Sequence, residues 1–231
     1  MRKAVLLIIL SCAGVLNLFA GDAARFLNLG FSDDSRYFMF GQYGIDAETA
    51  KPFADCYIVD IAKNAYVPKG KMNEVFDTRQ AAGNDGLGGI LKIVEKNRSL
   101  LQSYGINHLL TGRIVYVLID GQIPISSLEF RDFSSKNLYS VKLVQSRRGS
   151  GTSVSSNFSI EVTVTSPSGK KVTYRIGHPE YFRKGVKEYR IKYLLLAPDG
   201  KSLIFVLEKS IIGPDGESIR YMVETKRIVD P

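Results

Sequence analysis

The 231-residue sequence has few of the residues that build metal sites, and it lacks a common nucleophile motif. It contains two histidines and no tryptophan. His108 follows Gly105-Ile-Asn and His178 lies in Gly177-His-Pro-Glu-Tyr181, and neither has a partner at metal-ligand spacing. No Gly-x-Ser-x-Gly segment is present, which excludes a nucleophile elbow of that type. We therefore expect no catalytic residues, no metal and no cofactor, and a protein that is not an enzyme.

Cysteine is too scarce for an internal disulfide in an exported form of the chain. Cys12 lies in the N-terminal apolar segment, and Cys56 lies in the apolar run Cys56-Tyr-Ile-Val59. Removal of the first segment would leave Cys56 alone. Its apolar neighbours favour a buried, inert thiol over an exposed, reactive one.

Long hydrophobic runs are absent after the first twenty residues. Arg2 and Lys3 form a positive n-region, and a largely apolar segment follows as far as Ala20. This pattern is typical of a secretory signal peptide, residues 1–20. Two alternatives remain open, lipidation of Cys12 in Ile9-Leu-Ser-Cys12 and an uncleaved anchor. The sequence thus predicts an exported protein, periplasmic or secreted, with no membrane span after signal cleavage.

Acidic residues are outnumbered by basic ones, and the formal net charge is +8. The basic residues are spread over separate segments, at 69–71, 147–148, 170–171 and 183–187. A diffuse excess favours a solvated surface, although it also suits an anionic envelope polymer as partner. Export argues against nucleic acid as the partner.

The clearest internal pattern is a turn that occurs twice. Phe31-Ser-Asp-Asp-Ser-Arg-Tyr-Phe-Met-Phe40 aligns without a gap with Leu196-Ala-Pro-Asp-Gly-Lys-Ser-Leu-Ile-Phe205. The alignment extends over residues 25–61 and 190–226 at a constant offset of 165 residues. It predicts two equivalent three-stranded units lying side by side in one structure, in which Phe38 and Phe40 share a core with Leu203 and Phe205.

Four aspartates in predicted turns raise the question of calcium. Turn residues whose side chains accept hydrogen bonds from nearby backbone N–H groups are the simpler interpretation. The four are Asp33, Asp34, Asp199 and Asp215.

Alternating apolar residues between turn signals predict a mainly β fold of antiparallel sheets. We expect residues 21–231 to form a single mainly-β domain, built as two packed sheets or as propeller-like partial blades. The predicted strands cover residues 25–31, 36–43, 55–61, 113–119, 128–133, 138–145, 158–164, 171–176, 187–196, 201–208 and 218–228.

One segment has the period of a helix instead. Leu87, Ile90, Leu91, Val94 and Leu101 fall on one helical face, which predicts one inserted amphipathic helix near 86–104. Asn84 or Asp85 would cap its start and Gly105 would end it. We expect this helix to cover an edge or an opening of the β structure.

Two resemblances follow from these motifs. Phe31-Ser-Asp-Asp-Ser-Arg-Tyr-Phe38 followed by Cys56-Tyr-Ile-Val-Asp-Ile61 resembles the repeat of TolB-type β-propellers, although Met222-Val-Glu-Thr-Lys226 lacks its Val-Asp ending. As a whole, the chain resembles a family of uncharacterised bacterial predicted secreted proteins, a domain of unknown function. The signal peptide, residues 26–44 and Tyr57-Ile-Val-Asp60 carry this second resemblance, which implies export and supplies no catalytic residues.

The segment Gly83-Asn-Asp-Gly-Leu-Gly-Gly89 is a candidate ligand or partner loop. Backbone N–H groups at the start of a helix bind anions, but the segment lacks the P-loop and dinucleotide-loop endings, and Asp85 would repel an anion. We expect a non-enzymatic module that binds another envelope protein or polymer, with a small-ligand or anion binder as the alternative and an enzyme third. The candidate loop residues are Gly83, Asn84, Asp85, Gly86, Gly88 and Gly89.

Overall fold

Antiparallel strands dominate the computed structural model, which describes residues 21–81, 84–214 and 216–228. The signal peptide predicted at 1–20 lies outside the described residues, as do Gly83 of the candidate loop and Asp215. The strands in chain order are β1 (Arg25–Ser32), β2 (Tyr37–Ile45), β3 (Pro52–Asp60), β4 (Ala65–Val75), β5 (Ile106–Asn107), β6 (Arg113–Val117), β7 (Ser127–Arg131), β8 (Leu138–Arg148), β9 (Ser155–Thr165), β10 (Lys171–Gly177), β11 (Arg183–Lys184), β12 (Val186–Leu196), β13 (Ser202–Gly213) and β14 (Gly216–Arg227). The helices are α1 (Leu87–Lys96) and α2 (Arg98–Ser103).

The strands form three antiparallel sheets. The first sheet has the order β4-β3-β2-β1-β5, the middle sheet β14-β13-β12-β6, and the third sheet β10-β9-β8-β7 with β11 beside β9. The mainly β, antiparallel prediction is confirmed, but there are three sheets instead of two. The described residues form no closed barrel, and propeller-like blades are not supported.

The middle sheet is buried on both faces. Successive side chains of a strand point to opposite faces, so Leu203, Phe205 and Leu207 pack against the third sheet. Ile204 and Val206, between them, pack against the first sheet. The three sheets are therefore stacked as layers with the middle sheet in both cores.

The repeated units exist as predicted, but the pairing of their cores was wrong. Phe38 and Phe40 share a core with Ile204 and Val206, not with Leu203 and Phe205. Phe38 and Phe40 align with Leu203 and Phe205, so these residues lie on the corresponding face of each unit. The face of the first unit that carries Phe38 and Phe40 packs against the opposite face of the second unit, which carries Ile204 and Val206.

The two turns share a hydrogen bond and a backbone conformation. Asp34 accepts a hydrogen bond from the Arg36 N–H at 3.0 Å, and Asp199 accepts the corresponding bond from the Lys201 N–H at 2.8 Å. Ser35 and Gly200, at matching positions, both have positive φ, +56° and +68°. Both carboxylates act as the turn formers that the sequence predicted.

The predicted helix is present, but it is divided into α1 and α2 at Asn97. The Asn97 side-chain amide donates to the Ile93 carbonyl at 2.8 Å at this break. The helices cover the outer face of the first sheet, not an edge or an opening, with Ile90, Ile93 and Leu101 buried there. Leu91, which was assigned to the buried face, is exposed.

Strand β4 was not predicted. It carries Pro68, Lys69 with φ +59°, and Gly70, and the register of its pairing with β3 shifts between Tyr57 and Val59. These residues interrupt an alternating pattern. They are tolerated because β4 is an edge strand, where one side of the backbone needs no ladder partner.

Candidate functional site

The glycine-rich segment before α1 packs the helix closely against its neighbours. A Cβ on Gly86 would lie 2.5 Å from the Gly44 carbonyl oxygen, and one on Gly89 would lie 2.5 Å from the Phe76 ring. Real Cβ atoms do not approach other atoms this closely. A Cβ on Gly88 would meet nothing within 4 Å. Close packing therefore accounts for two of the predicted loop glycines.

The polar residues of this segment also have structural partners. Asp85 accepts a hydrogen bond from the Leu87 N–H at 3.1 Å and lies 3.5 Å from the Arg25 guanidinium. Asn84 donates to the Gln80 side chain at 3.2 Å. A shallow cavity of about 150 Å³ lies beside the segment, with Lys92 at its wall. A ligand at this position stays a prediction.

The sequence-derived metal candidates are not brought together. The His108 Nδ1 atom lies 2.6 Å from the Leu29 carbonyl oxygen. Within residues 21–81, 84–214 and 216–228, no group of three or more His, Cys, Asp or Glu side chains is placed to hold a metal ion.

The most conspicuous surface feature is a group of exposed apolar side chains on and around β6 and β7. Leu109, Ile123 and Phe133 are each at least 80% exposed. Scattered exposed apolar side chains are ordinary, whereas large contiguous patches of them are typical of interaction sites. We call this the edge surface, and it comprises Leu109, Ile114, Val117, Ile119, Ile123, Ile125 and Phe133.

Two strand edges lie within the edge surface. Strand β6 is the last strand of the middle sheet and β7 is the last strand of the third sheet. Among the described residues each is paired on one side only, with β12 and β8 respectively. Such edges offer unpaired backbone N–H and C=O groups to another strand.

An ion pair between an exposed arginine and a buried aspartate holds the two edges together. Arg113 in β6 donates to the carboxylate of Asp132, which follows β7 and is buried. Asp132 also accepts from the Ser135 hydroxyl at 2.7 Å and from the backbone N–H groups of Ser134 and Ser135. The β7–β8 turn is thereby fixed against the start of β6.

Hydrogen bonds keep this carboxylate ionised. Burial by itself would raise the pKa of Asp132, but the bonds from Arg113 and Ser135 outweigh burial and hold the pKa well below its ordinary value. An ionised, hydrogen-bonded carboxylate therefore lies beside the exposed apolar side chains of the edge surface.

The sequence contains an indication of the edge surface that the search for strand and helix periodicity did not detect. Residues 118–125 read Leu-Ile-Asp-Gly-Gln-Ile-Pro-Ile, in which apolar residues surround turn formers. Apolar residues in a turn-rich segment have no strand to bury them.

No helix among the described residues is long and apolar enough to cross a membrane.

Comparison with known protein families identifies a relationship that covers most of the chain. A family model described as predicted secreted protein (DUF2259) matches residues 39–227, which extend from within β2 to the end of β14. The match includes both edge strands and the loop between them. No curated protein matches the chain.

Proposed function

Since the chain belongs to the DUF2259 family of predicted secreted proteins, we propose that it is an exported, non-enzymatic module that binds another envelope protein through the edge surface. The observation that carries the proposal is the exposure of seven large apolar side chains within residues 109–133. Grouped apolar exposure of this kind marks a protein interaction site. The compartment that we propose is the periplasm or the cell exterior.

The unpaired sides of the edge strands β6 and β7 provide a way for a partner to bind. An extended segment of a partner can add to β6 or β7 as a further strand, with backbone hydrogen bonds giving affinity. The apolar side chains beside the added strand, such as Ile119 and Ile123, would contribute burial and selectivity. The Arg113–Asp132 pair keeps the two edges in fixed positions before the partner arrives.

Site-specific cross-linking in the native envelope tests this proposal. A photo-reactive residue in place of Ile123 should form one discrete cross-linked product, whereas the same residue in place of Val75, which is exposed on β4, should not. Mass spectrometry then identifies the partner, and the purified pair is tested for direct binding.

Substitutions supply the second arm. Ile119→Ser together with Ile123→Ser should weaken binding of the purified partner at least tenfold, because apolar burial of about 25 cal/mol per Å² is lost from two side chains. Val75→Ser is the matched control and should bind normally. Equal binding by the double variant and the control would contradict the proposal.

A further inference from the structure

A second site lies on a different part of the molecule, between the first and middle sheets. A cleft of about 700 Å³ opens where β1 begins. Ligand pockets commonly measure roughly 300–1,000 Å³, so the cleft has room for a small organic molecule. Its walls come from β1, β12, β13 and β14, and the loop after β6 contributes at its mouth.

Three aromatic rings form one wall of the cleft. The Phe26 ring centroid lies 5.5 Å from that of Tyr193 and 5.7 Å from that of Tyr221. Burial and the neighbouring Glu208 carboxylate raise the pKa of Tyr221 well above its ordinary value. Its phenol consequently stays protonated and remains a hydrogen-bond donor.

Charged side chains form the polar part of the cleft. The Lys192 ammonium group is paired with Asp120, and Lys192 is only 7% exposed whereas the Asp120 side chain is 96% exposed. Glu208, which is largely buried, lies 3.7 Å from the Arg190 guanidinium. Burying an ammonium group is costly and needs compensating partners. Lys192 is therefore a structural part of the cleft. Its only ion-pair partner among the described residues, Asp120, lies on an exposed loop.

The charged side chains that line the cleft are two positive, Arg25 and Lys192, and two negative, Asp120 and Glu208, and this balance restricts the ligand. An anion would meet the two carboxylates, and a cation would meet the two positive groups. A lipid chain would offer no hydrogen-bonding groups to these charged side chains and phenols. A ligand with many hydroxyl groups can accept from Lys192 and Tyr221 and donate to Glu208 and Asp120, and ionised partners make these bonds strong.

We propose that this cleft binds a neutral oligosaccharide. The C–H faces of a pyranose ring would lie against Phe26 and Tyr193, and its hydroxyl groups would bond to Lys192 and Glu208. The site adjoins the edge surface only at Asp120, which alone among the cleft residues lies in the loop that separates β6 from β7.

Saturation-transfer NMR and calorimetry on the protein comprising residues 21–231 test the proposal. The probes are maltotriose and the trimer of N-acetylglucosamine, with trigalacturonic acid and inorganic phosphate as anionic comparators. At least one neutral trisaccharide should bind, and more tightly than either anion. Absence of binding by both neutral probes, or tighter binding of an anion, would overturn the proposal.

Two variants locate the binding in the cleft. Glu208→Gln and Lys192→Met should each weaken binding by about tenfold or more, which corresponds to losing a hydrogen bond to a charged group. Glu74→Gln and Lys92→Met, on the first sheet and α1, are matched controls and should bind as the parent does. Glu208→Gln keeps the shape of the side chain and so provides a folded variant if Lys192→Met does not fold. Unchanged affinity in Glu208→Gln would assign the binding to another surface.

Discussion

At the scale of single residues, burial decides how two chemically reactive groups behave. Cys56 and Asp132 are both buried, but the thiol has an apolar environment and the carboxylate has four hydrogen-bond donors. Burial of Cys56 on the helix-covered face of the first sheet agrees with the sequence prediction. The stabilisation of Asp132 depends on Arg113 of β6 and on Ser134 and Ser135 of the β7–β8 turn.

Cys56 should react slowly with thiol reagents in the native protein. Burial, with a smaller effect of Asp55, raises the pKa of the thiol to about 12, so little reactive thiolate forms near neutral pH. Ellman's reagent should label residues 21–231 far more slowly in buffer than in about 6 M guanidinium chloride, which unfolds most proteins. Rapid labelling of the folded protein would show that the thiol is accessible.

Asp132→Asn should destabilise the protein by about 2–4 kcal/mol at pH 7, because it removes a buried charge that Arg113 and the turn have hydrogen-bonded. The folded pKa of Asp132 lies below the unfolded pKa of about 3.9, so its contribution is present above that value and is lost as pH falls towards the folded pKa. Urea unfolding at pH 7, 5 and 3 measures the difference between parent and variant.

The difference should be largest at pH 7, nearly as large at pH 5, and smaller at pH 3. Glu129→Gln, at an exposed position of β7, is the control and should change stability little at any of these pH values. A difference that grows on acidification would contradict this account of Asp132.

At the scale of elements, the contact between α1 and the first sheet depends on small residues at chosen positions. Gly86 and Gly89 allow close approach to Gly44 and Phe76, while Gly88 faces open space. The sequence showed a cluster of glycines before a helix but not which of them are packed. That distinction requires the neighbouring strands.

Gly86→Ala should destabilise the protein by about 1–3 kcal/mol, because its Cβ would overlap a backbone carbonyl that cannot move alone. Gly88→Ala is the matched control and should be neutral or stabilising by up to about 1 kcal/mol, since alanine favours the helix. Thermal or urea unfolding of both variants measures the contrast. Equal effects of the two substitutions would remove the packing explanation for Gly86.

At the scale of the whole molecule, the middle sheet joins the other two sheets through cores on both of its faces. Three of its four strands come from the C-terminal part of the chain, and β6 comes from the centre. Neither outer sheet can bury its apolar face without them. The resemblance to uncharacterised secreted proteins is confirmed by the family match, whereas the similarity to TolB-type propellers is not shown.

A fragment comprising residues 21–186 should therefore not fold cooperatively. It lacks nearly all of β12 and the whole of β13 and β14, so Phe38 and Phe40 would lose the residues that bury them. Circular dichroism and urea unfolding of the fragment should show no single sharp transition, in contrast to residues 21–231. A soluble fragment with a cooperative transition would contradict the prediction, and the proposed single domain with it.

Local chemistry was determined by the sequence itself. Alternation of apolar residues located most strands, the Asp34 and Asp199 turns were identified by their residue types, and the 165-residue offset revealed two equivalent units. These features depend on interactions between residues that are close in sequence, or on the same local structure occurring twice. The same is true of the amphipathic face of α1, although the interruption at Asn97 was missed.

Only the tertiary structure decided which faces meet and which remain exposed. The pairing of Phe40 with Val206 instead of Phe205 depends on the direction in which two units stack, and an alternating pattern is the same for either direction. Likewise, the exposure of Ile119 and Ile123 in the loop between β6 and β7, and the position of Lys192 in a cleft between two sheets, depend on how the sheets are arranged. These arrangements arise between residues far apart in the chain, where periodicity carries no information.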